Sequence, residues 1–212
     1  MDATNAIFYI AILIMSVVIH EVSHGFMAEY FGDKTARMAG RLTLNPLKHL
    51  DWFGSVLLPA VLYFSSGFVF GWAKPVPYNP NNLRDKKWGE IAVASAGVLA
   101  NLSIALIFGL LMHFAPVFGL PVYDPISPNP FYVITKMVVV VNLALAVFNL
   151  VPIPPLDGSK ILFNVLPRSM HAFVELLERY SIIFFIVFIA FFSDYLYPVL
   201  AFLYHLVTGL SL

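Results

Sequence analysis

Residues 5–31 read NAIFYIAILIMSVVIHEVSHGFMAEYF, fifteen residues without a charge that run into His20-Glu21-x-x-His24. A helix is the natural form of such a run, and at about 1.5 Å per residue the fifteen are roughly 22 Å long. His20 would then lie about three quarters of the way across a hydrocarbon core of about 30 Å. Ionisable groups at that depth are costly and face a protein interior or a water-filled cavity, where they mark function. Two histidines four apart share one helix face, with Glu21 beside it. That pattern suits zinc, which takes imidazole nitrogen, prefers four ligands and keeps one position open for a water that Glu21 could deprotonate.

Composition agrees with a membrane location: of 212 residues, 60% are hydrophobic and 11% charged, and the mean hydropathy is +0.84, far from soluble averages. The expected fold is an all-α multi-pass membrane protein, a single domain over 1–212 with a three-helix core over about 5–165 and a C-terminal helical part over about 166–212. A net charge of zero gives no footing for nucleic acid, and the lack of cysteine leaves only N and O ligands for a metal. Asp2 stands where a signal peptide would be basic, so the first helix is expected to be retained.

Beyond the first helix, Lys34, Arg37, Arg41 and Lys48 mark a cytoplasmic loop. Within it Arg41–Leu44 alternates like a short strand before Asn45-Pro46. Residues 53–72 are apolar but broken by Pro59 and three glycines, and basic residues flank both sides, which favours a re-entrant or hairpin element. Strand-like character is also expected over Phe68–Lys74. A second span is expected from Trp88 to about Pro116, with Asn101 hydrogen-bonded across an interface, and an external loop without Lys or Arg follows. The third span, from about Phe131 to Val151, carries Asn142 and Asn149 seven apart on an inward face and unwinds at Pro152-Ile153-Pro154-Pro155. Tyr180–Leu212 is one span with a short element, or two spans.

Two histidines are one ligand short of a hydrolytic zinc site. Asp157, in the unwound Pro/Gly segment after the third span, is the best candidate for the third ligand, although an Asp there also suits a helix N-cap. His49 is its main rival, and His113, His171 and His205 are placed less favourably.

His20-Glu21-x-x-His24, the segment Gly40–Asp51, and Asn149-x-x-Pro152 leading to Leu156-Asp157-Gly158 together resemble the site-2 protease family of intramembrane zinc metalloproteases, in its compact prokaryotic form. The chain departs from the family at Val98 and Trp52, where Pro is frequent. The resemblance implies one Zn2+ held by His20, His24 and Asp157, Glu21 as general base and Asn149 as oxyanion support. It also implies a lipid-embedded site toward the cytoplasmic side of the cell membrane, acting on peptide bonds within or near transmembrane segments of protein substrates. The strand-like pieces could clamp such a substrate by edge pairing or only plug the site. The rival class is a membrane metal transporter or metal-binding protein using the same His/Asp cluster.

Overall fold

The computed structural model describes residues 3–57, 61, 73–120, 124 and 129–212. Among the described residues three helices are long and apolar enough to cross a membrane: α1 (Ala3–Tyr30), α3 (Lys86–His113) and α4 (Pro130–Asn149). Between the first two lies the short α2 (Thr35–Met38), and α5 (Asp157–Val165), α6 (His171–Arg179), α7 (Ser181–Phe191) and α8 (Leu196–Thr208) complete the chain. The last two are separated at Phe192 by a 63° bend, so the C-terminal stretch is a broken pair of helices.

The centre of the bundle is α3, which packs against α1, α4, α5 and α8. Asp85 starts it, its carboxylate accepting from the Trp88 amide at 3.0 Å, which satisfies one of the free donors of a helix start. Its buried positions include Gly89, Val93, Gly97, Asn101, Ala105 and Gly109, a four-residue repeat that forms one nearly continuous ridge. Small side chains along such a ridge let neighbouring helices approach closely, the main source of helix association where lipid offers no hydrophobic driving force. On α1 the buried stripe is Ser16, His20 and His24 with Val18 and Val22 between and Ala28 one turn further on, while Ile7, Ile10 and Leu13 are exposed, as suits a lipid-facing side.

Helix α4 begins with Asn129 capping Phe131 and Pro130 in the first turn, and ends at Asn149. The three prolines that follow cannot supply helical amide donors, so residues 150–156 pass through turns before α5 starts. The expected unwinding therefore falls where it was placed. The strand over Arg41–Leu44 does not form: among the described residues there is no β-strand, and this segment is irregular. Among the described residues no strand pairs with it; the Arg41 guanidinium donates to the Lys74 carbonyl at 2.7 Å, so a side chain does the joining. Of the proposed re-entrant element, Trp52–Leu57 forms a π-helical turn, and most of the rest, with most of the Phe68–Lys74 strand, lies outside the described residues.

The loops that follow α1 and precede α3 are tied together by Asp33, which is wholly buried. Its carboxylate accepts from the Thr35 hydroxyl, the Asn79 amide at 2.7 Å and the Asn82 side chain at 2.9 Å. Burial pushes the Asp33 carboxyl up, but these hydrogen bonds outweigh it and hold the group below the usual carboxylate range. A depressed folded-state pKa contributes stability that is present above the unfolded value of about 3.9 and is lost as pH falls through the folded value. Asp33→Asn should therefore lower the melting temperature of the detergent-solubilised protein at neutral pH, by an amount equivalent to about 1–3 kcal/mol. The gap between variant and unaltered protein should narrow as pH drops below about 4; a gap independent of pH would show that the charge of Asp33 is not what holds these loops.

Candidate metal centre

His20 and His24 are brought onto one face by the turn of α1, and α5 delivers Asp157 to the same point. One atom from each of the three lies within 4.8 Å of the others. Asp157 Oδ2 is 3.1 Å from His20 Nε2 and 3.1 Å from His24 Nε2, and all three residues are buried. Asp157 is the first residue of α5, and the residue at the cap position is Leu156, with no side-chain cap bond. Its carboxylate is directed to the histidines and, through Oδ1, to Lys160 Nζ at 3.4 Å.

Glycines make the approach possible. A Cβ on Gly158 would run into the Leu150 and Val151 carbonyls, backbone atoms that cannot yield, so only glycine lets α5 start against the chain leaving α4. On α3, a Cβ at Gly97 would stand 2.6 Å from His20 Nε2. The imidazole occupies the notch that this residue leaves in the ridge. Gly25 likewise admits Leu42 and Val76 over α1.

The outer nitrogens of both rings are also engaged. His24 Nδ1 is 2.6 Å from the Val93 carbonyl, an oxygen that can only accept, so Nδ1 carries the proton. In the neutral ring Nε2 then presents a lone pair to Asp157 Oδ2. His20 Nδ1 meets Asn101 Oδ1 at 2.6 Å. Two lone-pair-bearing nitrogens converging on a carboxylate oxygen make a place that could hold a cation. Protonating both rings would set two positive charges on centroids 4.6 Å apart inside an apolar bundle, whereas one divalent ion satisfies all three atoms. The donor set, two imidazoles and a carboxylate, suits zinc. With metal–ligand bonds of about 2.0–2.1 Å, a tetrahedron spaces its ligand atoms roughly 3.3 Å apart, close to the separations here.

Glu21 lies one residue from His20, and its Oε2 accepts from the Val76 amide at 2.8 Å. Val76 belongs to an irregular strap, residues 73–79, fastened by the Lys74 amide to the His49 carbonyl and by the Asn79 amide to Asp33. Tyr78, in the same strap, has its phenol pushed up by burial, an effect the nearby Lys160 partly offsets, and its ring lies 5.7 Å from Lys160 Nζ. Asn149 is not in the cluster: its side-chain amide donates back to the Leu145 carbonyl at 2.9 Å. His49, the rival ligand, is buried elsewhere and donates from Nε2 to the Thr43 carbonyl at 2.9 Å. His113 bonds the Thr208 carbonyl, and His171 pairs with Glu175. What the sequence left unassigned is the seating of the rings by Gly97, Asn101 and the Val93 carbonyl. Only the four-residue spacing of Gly97 and Asn101 hinted at it.

The family model for peptidase family M50 matches residues 8–123 and 124–192. "Putative zinc metalloprotease YwhC" of Bacillus subtilis is 37% identical over 177 residues, covering 82% of this chain and 76% of that protein. "Putative zinc metalloprotease Rip2" of Mycolicibacterium smegmatis is 34% identical over 72% of this chain and 54% of its own length. "Putative zinc metalloprotease MJ0611" of Methanocaldococcus jannaschii is 29% identical over 68% and 63%. No solved structure gives a significant match.

The geometry separates ligand from seat experimentally. Asp157→Asn should lower zinc affinity by removing the carboxylate charge of the cluster. Gly97→Ala should also lower it, by about tenfold or more, while helicity is kept because Ala favours helix over Gly. Zinc titration against a competing chelator, with circular dichroism on the same samples, checks both; full zinc binding by Gly97→Ala would remove the notch from the account of the site.

Proposed function

We propose, from the premise that the chain belongs to peptidase family M50, the site-2 proteases, and is a zinc metalloprotease, that it hydrolyses peptide bonds within or near transmembrane segments of membrane-protein substrates. The observation that carries this reading is the convergence of His20, His24 and Asp157 among helices long and apolar enough to span a bilayer, with Glu21 on the adjoining turn. A buried ionisable centre among such helices suits a substrate that already lies in the membrane.

Zinc, when held by the three residues, supplies a Lewis acid that acidifies a water and polarises a carbonyl. Glu21 takes the water's proton and returns it to the leaving amine. The Val76 amide fixes Oε2 of that carboxylate, which leaves Oε1 for the proton. Asn149, at the last turn of α4, gives oxyanion support by swinging its amide from Leu145 toward the substrate carbonyl. A substrate must be extended to be cut, since a helix hides its carbonyls in hydrogen bonds. The metal-transporter alternative is not favoured: beyond the site the buried ridge of α3 continues as Ala105, Gly109 and Met112, with no histidine or carboxylate to pass on a zinc ion.

Glu21→Gln should retain zinc and lose cleavage of a membrane-spanning peptide in detergent or nanodiscs, because an amide cannot accept the proton; cleavage at a comparable rate would remove Glu21 as the base. In the same assay Asn149→Ala should retain zinc and lower turnover by about a hundredfold. Loss of zinc from that variant would make Asn149 structural or a ligand instead.

The basic residues Lys34, Arg37, Arg41, Lys48, Arg84, Lys86 and Lys87 all fall in the two segments that flank the site-bearing end of α1 and the start of α3, and this charge bias supports an orientation with the site toward the cytoplasm. Since the chain has no cysteine, single cysteines introduced at Arg84 and at Asp124 give a clean reading. A membrane-impermeant thiol reagent should label the first only from the cytoplasmic face and the second only from the other; labelling of both from one face would reject this orientation.

A further inference from the structure

Behind His20 the bundle holds a buried chain of polar groups that the proteolytic chemistry does not use: Ser16 on α1, Asn101 on α3 and Asn142 on α4, the two amides fully buried. Asn142 Nδ2 donates to the Val138 carbonyl at 2.9 Å and to Ser16 Oγ at 2.9 Å. Asn101 Nδ2 donates to Asn142 Oδ1 at 2.8 Å and to the Ser16 carbonyl at 3.3 Å. Asn101 Oδ1 faces His20 Nδ1 at 2.6 Å.

A backbone carbonyl only accepts, and that gives the chain a direction. The Val138 carbonyl requires the NH2 of Asn142 on its side, so Asn142 turns its oxygen to Asn101. Asn101 must answer with its own NH2, a choice the Ser16 carbonyl enforces a second time. Its oxygen is thereby left for His20, whose Nδ1 can only be the protonated nitrogen, and Nε2 is delivered as a lone pair toward Asp157. Reversing either amide would set oxygen against oxygen in a place water does not reach, with at least one buried group unsatisfied.

We propose that Asn101 and Asn142 are positioning residues for the metal centre: a one-way relay of hydrogen bonds, anchored on the Val138 and Ser16 carbonyls, selects the tautomer and fixes the plane of His20. Because the relay joins α1, α3 and α4, the same bonds that hold the three spans together also prepare one ligand. His24 reaches the same tautomer directly from the Val93 carbonyl, so the two histidines are set by different means and only His20 depends on the relay. Partners of this kind, one shell behind a ligand, are worth roughly 10–100-fold in metal affinity.

The inference rests on the metal site of the proposed function, and zinc binding by the unaltered protein is the control that separates the two: if that fails, the site itself is wrong. The test compares Asn101→Leu with Asn101→Asp, and Asn142→Leu with Asn142→Asp, in the full chain, by chelator-competed zinc affinity and the visible spectrum of the cobalt-substituted protein. As a carboxylic acid, the Asp at 101 can accept from His20 and donate to Asn142, so it should bind zinc within a few-fold of the unaltered protein. Asn101→Leu should lose about 10–100-fold and shift the cobalt bands. Asn142→Leu should lose less, and Asn142→Asp should stay near the unaltered value because, as a carboxylic acid, its side chain still donates to the Val138 carbonyl and accepts from Asn101. A purely structural clasp would move the melting temperatures and leave zinc affinity and cobalt spectrum alike in all folded variants, and that result overturns the proposal. If Asn101→Leu is not recovered folded, the Asn142 pair decides: equal zinc affinity in Leu and Asp variants overturns the relay, and a loss confined to Leu supports it.

Discussion

Burying a charged ligand set among helices that face lipid is the constraint from which most of this structure follows. A carboxylate and two imidazoles removed from water must have every lone pair and proton accounted for within the protein, because hydrocarbon offers no partner. His20, His24 and Asp157 meet the requirement twice over. On their inner side they converge on a position for a cation; on their outer side the Asn101 oxygen, the Val93 carbonyl and Lys160 take up what remains. The helices cannot slide or rotate by one residue without breaking several of these bonds together, so the site specifies the packing as much as the packing specifies the site.

Helix α3 shows how closely the two are joined. Its ridge is poor in bulk, and its residues do several jobs in one register: Val93 lends a carbonyl, Gly97 a notch and Asn101 an amide, all to α1, over two turns. An ordinary apolar ridge would pack α1 and α4 as well, and would still offer His24 a backbone carbonyl, but would leave His20 without a partner behind it. Small residues here serve ring placement as well as backbone approach.

On the side facing the loops, the strap of residues 73–79 joins Glu21, Asp33, Arg41 and His49. It holds one oxygen of Glu21 from above while α1 holds the residue from below. Extended main chain near this carboxylate is thus secured by hydrogen bonds to side chains and to a single carbonyl, a different arrangement from the sheet pairing that alternation in the sequence suggests. Arg41–Leu44 alternates as a strand would, yet alternation fixes only which side chains face alike; a strand also needs a neighbouring backbone in register, and here an arginine side chain reaches across instead.

Sequence by itself determined the elements whose signals are local. The uncharged run before His20 made α1 a span, the His-Glu-x-x-His spacing put two imidazoles on one face, and the prolines after Asn149 ended α4. Helical periodicity and the missing amide donor of proline act over a few residues, so they are legible in one chain. Asp157 suited a cap or a ligand equally in the sequence; the fold carries α5 across to α1, 137 residues away in the chain, and sets its carboxylate beside both histidines. Asn149 and Asn142 look equivalent as a seven-residue pair, but Asn142 enters the polar relay while Asn149 turns back to its own helix. Which of two similar amides is enclosed, and which way each points, depends on carbonyls contributed by other helices. Those partners exist only after the spans have packed, which is why tertiary structure alone decided them.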